Sequence, residues 1–503
     1  MIPSGRPDKV VIVGRDAAAW LTACALNRAL GPTGVAIEVV ELPSLLRPND
    51  ISAGLPALEP FHGLLGLNEA EVLKATMGTC SLGQSFANFA RARPPFFHGY
   101  GVQGAPINGI AFLQIWTKAR QAGLKVELED FSLNAAAAKQ GRFFIPNEEI
   151  NAFGRCDFAY QLRAAAYVRL LRTLAMKGGV AVRAARGFTA GRDPETGHIL
   201  SLALSDGSTV SGDLFIDATG AESLLLGGVM GVPFESWQGW FGTDRMIAVS
   251  APRLAQLPAW SQVRAVEAGT LHLACLQDMT SLVRVFDSSA MDDEAALQST
   301  AVIANMRLDD NAVVGPLHVG ARARAWAGNV IAIGEAAAVF DAIDNVSLHG
   351  VQLGIVHLMD LFPIDRDARH ERDEYNRNLA SALARLRDFQ IAHGKLNQIV
   401  DKPHWDGLRA MAVPDSLAWK IELFKARGQV ALYDDETFEA ENWQAIFVGH
   451  GLTPRAYDPM ADLLPQDETI ASVQRMLGFI RQQVEAMGTL DDFLKNQGVR
   501  AFA

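Results

Sequence analysis

VVIVGRDAAAWLTACALNRALGP, residues 10–32, decides the fold. Val10 to Val13 form an apolar run too short for a helix, Gly14 turns the chain, and Ala17 to Leu30 has helical character that stops at Gly31-Pro32. Val35 to Val40 resumes as a strand and closes at Glu41. The order strand, tight turn, helix, strand is a βαβ unit. Its acidic residue stands at the end of the second strand, where dinucleotide-binding folds hold a ribose hydroxyl.

Working outward, Ile199 to Leu204 and Thr209 to Asp217 read as strands flanking an Asp206-Gly207 hairpin turn. The run Asp213 to Gly220 is a buried strand entering a Gly turn, and Asn329 to Ile333 is a further strand leading into Gly334-Glu335 and then another helix. The strands at 10–13, 35–40 and 329–333 are expected side by side and parallel in one sheet, because one nucleotide site served by all three leaves little topological choice. The nucleotide module is therefore assembled from separated segments, about 8–48, 155–225 and 325–355. The intervening stretches, about 50–150 and 225–320, mix strands and loops as a substrate-facing wall. From about residue 356 to 503 the chain reads as a helical cap. Glu371 to His393 has helical spacing, and Ile470, Val473, Leu477, Ile480 and Val484 share one face of a helix over Glu468 to Met487.

The 503 residues are 49% hydrophobic and 20% charged, enough apolar material for a large core. The net charge of −11 is spread along the chain, which disfavours nucleic acid and anionic membrane and favours a small-molecule site. Cys24, Cys80, Cys156 and Cys275 form no CxxC pair, so neither a disulfide framework nor a metal site is indicated. No apolar run reaches the ~18 residues of a membrane span, and the N-terminus runs straight into a strand without a leader pattern. A cytoplasmic protein is expected, with a homodimer as the default among oligomers.

The phosphate turn is Gly14-Arg15-Asp16-Ala17-Ala18-Ala19. Only the first glycine of G-x-G-x-x-G stands; Ala19 is a mild replacement for the third, but Asp16 puts a carboxylate where the second lets a pyrophosphate approach. Two like charges at ~4 Å and an effective dielectric of about 20 cost on the order of 4 kcal/mol. Arg15 could offset this by reaching the phosphates. In FAD-binding folds a segment like Asp217-Ala-Thr-Gly220 sits by the adenylate half. One like Gly334-Glu335 sets an acidic side chain on the ribityl chain with a helix N-terminus behind it.

Further stretches carry a family resemblance. Phe158 to Val182 looks like a helix that precedes the second nucleotide segment in the flavin-dependent tryptophan halogenases, and DLFIDATGAESLL, residues 213–225, is similar to their DLFIDCSGFRSLL. Arg387 to His393 (RDFQIAH), His404-Trp405, and WQAIFVGHGLTP, residues 443–454, resemble signatures of the same family's helical cap. The likeness runs from about residue 8 to 460. It implies an α/β fold with an FAD-binding, Rossmann-like module of the p-hydroxybenzoate-hydroxylase type, an inserted β-rich substrate region and a C-terminal helical cap. It implies as cofactor-binding residues Gly14, Arg15, Ala17, Ala19, Glu41, Asp217, Gly220, Gly334 and Glu335. It also implies FAD reduced by a separate flavin reductase, a halide, and a small aromatic substrate. In that chemistry hypohalous acid reaches a distant pocket, where a lysine holds it and a glutamate assists.

The reactive positions depart from the pattern. Thr79 to Phe86 (TCSLGQSF) matches TFKLGI.F and puts Ser81 at the lysine. Lys74 is the nearest lysine in sequence, on a predicted helix over Glu69 to Ala75, and reads as a surface residue. Ala342 to Val346 (AIDNV) matches PLEST and puts the shorter Asp344 at the glutamate, where it could instead cap the helix starting near Val346. Asn49 to Pro56 keeps little of the flavin-covering loop besides Pro56, and Ser281 to Asp287 keeps no tryptophan of WxWxIP. Two readings follow: an FAD-dependent oxidoreductase on a small aromatic molecule, indoles among the candidates, with Ser81 and Asp344 at its reactive positions and altered chemistry, or a non-catalytic homologue that binds a small aromatic ligand or a partner protein.

Overall fold

The computed structural model describes residues 5–47, 49–90, 93–147, 149–150 and 154–499; the first four residues of the stretch read above for a leader pattern lie outside them. The chain forms two units, one of residues 1–76, 162–239 and 318–384, the other of residues 77–161, 240–317 and 385–503.

In the first unit, strand β1 (Lys9–Gly14) is followed by helix α1 (Asp16–Leu30) and strand β2 (Ala36–Glu41). The sheet order is Trp326–Ala327, Val330–Ala332, Leu214–Ala218, β1, β2, Ala181–Ala184, parallel throughout except for the first pair. Val10, Val11, Ile12 and Val13 are fully buried, which is why this strand is a continuous apolar run rather than an alternating one. The 329–333 segment is in the same parallel sheet but one place further from β1 than predicted. Leu214–Ala218 intervenes, with Ile216 in register with Ile12 on one side and Ile331 on the other. Helix α1 lies against helix Ala164–Lys177, where the Cys24 thiol donates to Leu171 O at 3.3 Å and Asn27 Nδ2 to Gly178 O at 2.9 Å.

Three local readings are corrected. Phe158 to Val182 is not one helix: a strand, Ala159–Arg163, precedes it, and Gly178-Gly179, the latter at φ +90°, ends it before the Ala181–Ala184 strand. Thr209 to Asp217 is two strands, Thr209–Ser211 in the hairpin and Leu214–Ala218 in the parallel sheet. The break is held by Asp213, whose Oδ2 accepts from the N–H groups of Asp8 (2.9 Å) and Lys9 (3.1 Å). Gly334 opens a single 3₁₀ turn, Gly334–Ala336, and the helix begins only at Ser347.

At the end of β1, a Cβ on Gly14 would stand 2.4 Å from Ala218 O and 2.7 Å from Ala218 Cβ. A neighbouring strand's backbone cannot yield as a side chain can. Gly14→Ala is expected to cost about 1–3 kcal/mol by overpacking; an unchanged melting temperature would show that the strands can separate freely.

The second unit carries a seven-stranded sheet in the order Val313–Pro316, Arg245–Pro252, Met279–Phe286, Gly269–Cys275, Ser261–Val266, Gly83–Ala87, Phe96–Gly99. All its pairs are antiparallel except Ser261–Val266 with Gly83–Ala87. Helix Arg369–Leu396 covers the predicted Glu371 to His393, and Gln466–Ala486 covers the predicted C-terminal helix. In the latter Met476, Ile480 and Val484 are the buried face, whereas Ile470 is 46% exposed, so the apolar stripe starts a turn later than its spacing suggested. All four cysteines are buried, and none forms a disulfide among the described residues. Among the described residues no helix is long and apolar enough to cross a membrane.

Candidate functional site

The crevice of the first unit lies where the parallel strands end, the general place for ligands in such sheets. Arg15 N–H donates to Ala218 O (3.1 Å) and Ile333 N–H to Asp217 O (2.9 Å), tying the three strand ends together. Gly220 (φ +83°) and Gly334 (φ +67°) both take the left-handed conformation that glycine favours. A Cβ built on Gly220 would meet Glu335 Oε2 at 3.9 Å, and a Cβ on Gly334 would meet Ala18 Cβ at 3.3 Å. Gly14, Gly220, Gly334 and Glu335 therefore lie together at the strand ends. Ala17 is in the first turn of α1, and Ala19 is buried beneath it.

Asp16 departs from the expected geometry. Its backbone adopts φ +58°, the conformation a glycine would take, but its carboxylate turns to the loop after β2: Ser44 Oγ donates to Oδ1 at 2.5 Å and Leu45 N–H to Oδ2 at 3.3 Å. The carboxylate is thus held away from the turn's amides instead of lying across them. Its charge is still felt, because Glu335 and Asp50 are both held above the usual carboxylate range, first by burial and then by Asp16. Glu335 keeps water access inside the crevice, although protein surrounds it on most sides.

Glu41 faces a cavity of about 670 Å³ that Asp16, Trp20 and Ser44 also line. Arg172 grips its carboxylate, with Nε 3.0 and 3.2 Å from the two oxygens and Nη2 at 3.1 Å. A carboxylate has about four acceptor positions, so a ribose hydroxyl can still bind. Asp217 needs a correction as a cofactor contact. It is fully buried, and its carboxylate is spent on its own turn, accepting from Thr219 N (3.1 Å), Thr219 Oγ1 (2.7 Å), Ser223 Oγ (3.2 Å), Leu225 N (2.9 Å) and Leu226 N (2.7 Å). It shapes Gly220's turn and offers nothing to a ligand.

These residues fit a dinucleotide. Arg15 Nε is buried without a hydrogen-bond partner, and Nη2 makes only a 3.4 Å contact to the exposed Glu222. A guanidinium so placed suits a pyrophosphate.

Ser81 belongs to the second unit and Asp344 to the first. Ser81 ends the strand Thr79–Ser81 and is 2% exposed; its hydroxyl donates to Gly83 O at 2.7 Å and receives Gly83 N–H at 3.3 Å. Lys74 is on the exposed side of helix Glu69–Thr76, as expected. Asp344 is 1% exposed and sits in a turn, Ile343–Asn345, where it (φ +65°) and Asn345 (φ +56°) are both left-handed. It does not cap the next helix, whose N-cap is Val346 with no side-chain bond. Consecutive left-handed residues store backbone strain, a feature that gathers at functional sites. The loop from Asn49 to Pro56 contains the strand Ile51–Ala53.

Sequence reading missed a buried aromatic nest in the second unit. Phe86 stacks on His393 (4.5 Å between ring centres), His393 Nδ1 lies 3.0 Å from His450 Nε2, Phe389 stacks on Phe438 (3.7 Å), and His98 Nε2 meets Asn442 Nδ2 at 3.1 Å. Burial and the adjacent His393 push His450 well below the usual imidazole range, so it is neutral. The signal was there in part, since His393 and His450 lie within the quoted cap signatures. It also missed Arg284, in the Ser281 to Asp287 stretch: 1% exposed, with Nε and Nη1 unpartnered and its pKa lowered by burial to about 10.

A parallel nucleotide sheet with this crevice, in a chain whose other unit is mainly antiparallel, defines an FAD-binding α/β protein of the Rossmann-like kind. Residues 9–466 match the Tryptophan halogenase family, and the chain belongs to it. It is similar to BrvH, a flavin-dependent halogenase from Brevundimonas sp. BAL3, at 33% identity and TM-score 0.93, covering 98% of this chain and 99% of that one. A flavin-dependent halogenase from Xanthomonas campestris gives 30% identity with the same TM-score and coverage. Tryptophan 7-halogenase KtzQ from Kutzneria sp. (strain 744) is 26% identical over 95% of both chains.

Proposed function

We propose that this chain is an FAD-dependent oxidoreductase that acts on a small aromatic molecule, indoles included, by chemistry altered from lysine-directed halogenation. The observation that carries the reading is Ser81, a buried hydroxyl already bonded to Gly83, at the position where the family resemblance puts an amine. Bound FAD, reduced by a separate flavin reductase, would supply the oxidising chemistry. Arg15 would hold the pyrophosphate, Glu41 a ribose hydroxyl and Glu335 the ribityl chain, while Asp344 offers the carboxylate that takes up a substrate proton. Halide remains a co-substrate in this reading, but no ammonium orients it beside the ring.

Asp16 favours a second reading, a homologue that binds an aromatic ligand with no redox role. The discriminating measurement is the absorbance of protein soaked in FAD and passed through gel filtration. A flavin band should persist; protein that stays colourless even at saturating FAD would favour the second reading. Because the Asp16 carboxylate is held by Ser44 and Leu45, Asp16→Gly should tighten FAD by only about tenfold, or ~1.4 kcal/mol, rather than by a full contact repulsion.

The same variant has a pH signature. Glu335 and Asp50 have folded pKa values raised above their unfolded ones, so the stability they confer is complete below the unfolded pKa and is lost as pH rises through the folded pKa. Removing Asp16 lowers both folded values. Asp16→Asn should therefore raise the melting temperature more at pH 7 than at pH 4; an equal gain at both would contradict the coupling.

A further inference from the structure

We infer that Met291, in the second unit, is an oxidation site whose sulfoxide the protein stabilises, with Arg284 and Ser299 as the donors that receive the added oxygen. Arg284 lies on the strand Met279–Phe286, in register with Ile247 on one side and Leu271 on the other, so it shares their face of the seven-stranded sheet. Helix Asp293–Ala304 covers that face, and Met291, two residues before it, packs against the cluster of Ile247, Phe286 and Ala296. The guanidinium is therefore held among apolar side chains. Its Nε and Nη1 are buried without a hydrogen-bond partner, and it makes no ion pair among the described residues. Glu267, whose field reaches it, is mostly exposed and paired with Lys402 at 2.7 Å. What Arg284 does touch is the Met291 sulfur, 3.9 Å from Nη2.

A thioether is a weak acceptor, and two donor groups border this one. Ser299 Oγ is 4.0 Å from the same sulfur, with its proton now on Ala296 O at 3.0 Å. Both gaps to sulfur exceed the roughly 2.5–3.2 Å of a hydrogen bond to oxygen, which leaves room for an oxygen between sulfur and donor. Hydrogen peroxide supplies it. A sulfur lone pair attacks the peroxide O–O bond and gains one oxygen; the sulfur is oxidised by two electrons, and the departing hydroxide takes the proton of the transferred oxygen and leaves as water. Met291 is half-buried, so the oxidant reaches it. Methionine sulfoxide ordinarily disrupts a core, because a polar group enters an apolar site. Here the sign reverses. The new oxygen accepts from a buried cation that lacked an acceptor, and hydrogen bonds to charged groups are the strong ones. The site needs neither flavin nor any residue of the first unit, so it stands or falls apart from the proposed oxidoreductase activity.

The test is scanning calorimetry of the full chain before and after hydrogen peroxide, with Met291 sulfoxide measured by peptide-mapping mass spectrometry. Met291→Leu, treated in the same way, removes the contribution of the other methionines. Relative to that variant, oxidation should raise the melting temperature of the native protein by at least ~2 °C. In Arg284→Leu, which lacks the waiting donor, the same oxidation should lower it. Met291→Gln offers a carbonyl acceptor at the same place without any oxidation, so it tests the inference even where Arg284→Leu fails to fold; it should melt at least ~2 °C above Met291→Leu. The inference is overturned if Met291 stays reduced while Met176 and Met460, 47% and 56% exposed, are fully oxidised. It is equally overturned if the oxidised native protein gains nothing over Met291→Leu, if oxidised Arg284→Leu gains as much as the native protein, or if Met291→Gln melts no higher than Met291→Leu.

Discussion

Supplied with bromide, FAD and a flavin reductase, the native chain is expected to yield no bromotryptophan detectable by mass spectrometry. The reasoning rests on charge. An ammonium near a substrate ring carries a full positive charge and three donors, whereas the Ser81 hydroxyl has one proton, already given to Gly83 O. Asp344 reaches one methylene less far than a glutamate, and a misplacement of ~1 Å can cost about a hundredfold in rate. Ser81→Lys with Asp344→Glu should recover no more than a trace, because the new lysine must enter a position only 2% exposed and displace the two bonds to Gly83. Robust bromination by the unmutated protein would sink this expectation and turn attention to another amine, Lys74 first.

The second large effect is structural. Asp217→Ala should strip the acceptor from the buried N–H groups of Thr219, Leu225 and Leu226 and from two hydroxyls. Each unsatisfied buried donor costs about 1–3 kcal/mol, so a total of at least ~3 kcal/mol is expected. For a domain of about 200 residues each kcal/mol moves the melting temperature by ~2–4 °C, which predicts a fall of at least ~6 °C. FAD retention should fall with it, because Gly220's turn loses its support. A fall under about 2 °C would mean that water replaces the carboxylate at little cost. Asp217→Asn keeps an acceptor but adds a donor that faces other donors, and should land between the two.

How far the sequence could be read depended on whether a feature was local. β1, α1, β2 and the Asp206-Gly207 hairpin were legible because apolar runs and turn residues act within a few positions. The crevice glycines were legible for the same reason, since a left-handed turn restricts residue choice at the turn itself. What could not be read depended on distant partners. Asp217 looked like a ligand contact, and only the fold shows its carboxylate consumed by Thr219, Ser223, Leu225 and Leu226. Asp16 was expected to face the phosphates, and nothing in its own sequence window indicated that Ser44, 28 residues on, would take its carboxylate. The Phe158 to Val182 segment failed differently, because an aromatic strand running directly into an alanine-rich helix leaves no punctuation between them. Arg284 gave no signal, since a lone arginine in an apolar strand says nothing about whether its guanidinium finds a partner.

The order of strands in the nucleotide sheet has a consequence for biosynthesis. β1 pairs with Leu214–Ala218, about 200 residues later, and that strand in turn pairs with Val330–Ala332. At roughly 5–20 residues per second, a ribosome leaves β1 waiting about 10–40 s for its central neighbour. Throughout that interval the nascent chain exposes a fully apolar strand with an open edge, the kind of surface that invites pairing with other chains. Yield in a heterologous host should accordingly depend on chaperone supply and on slow growth at low temperature, more than on the melting temperature of the finished protein.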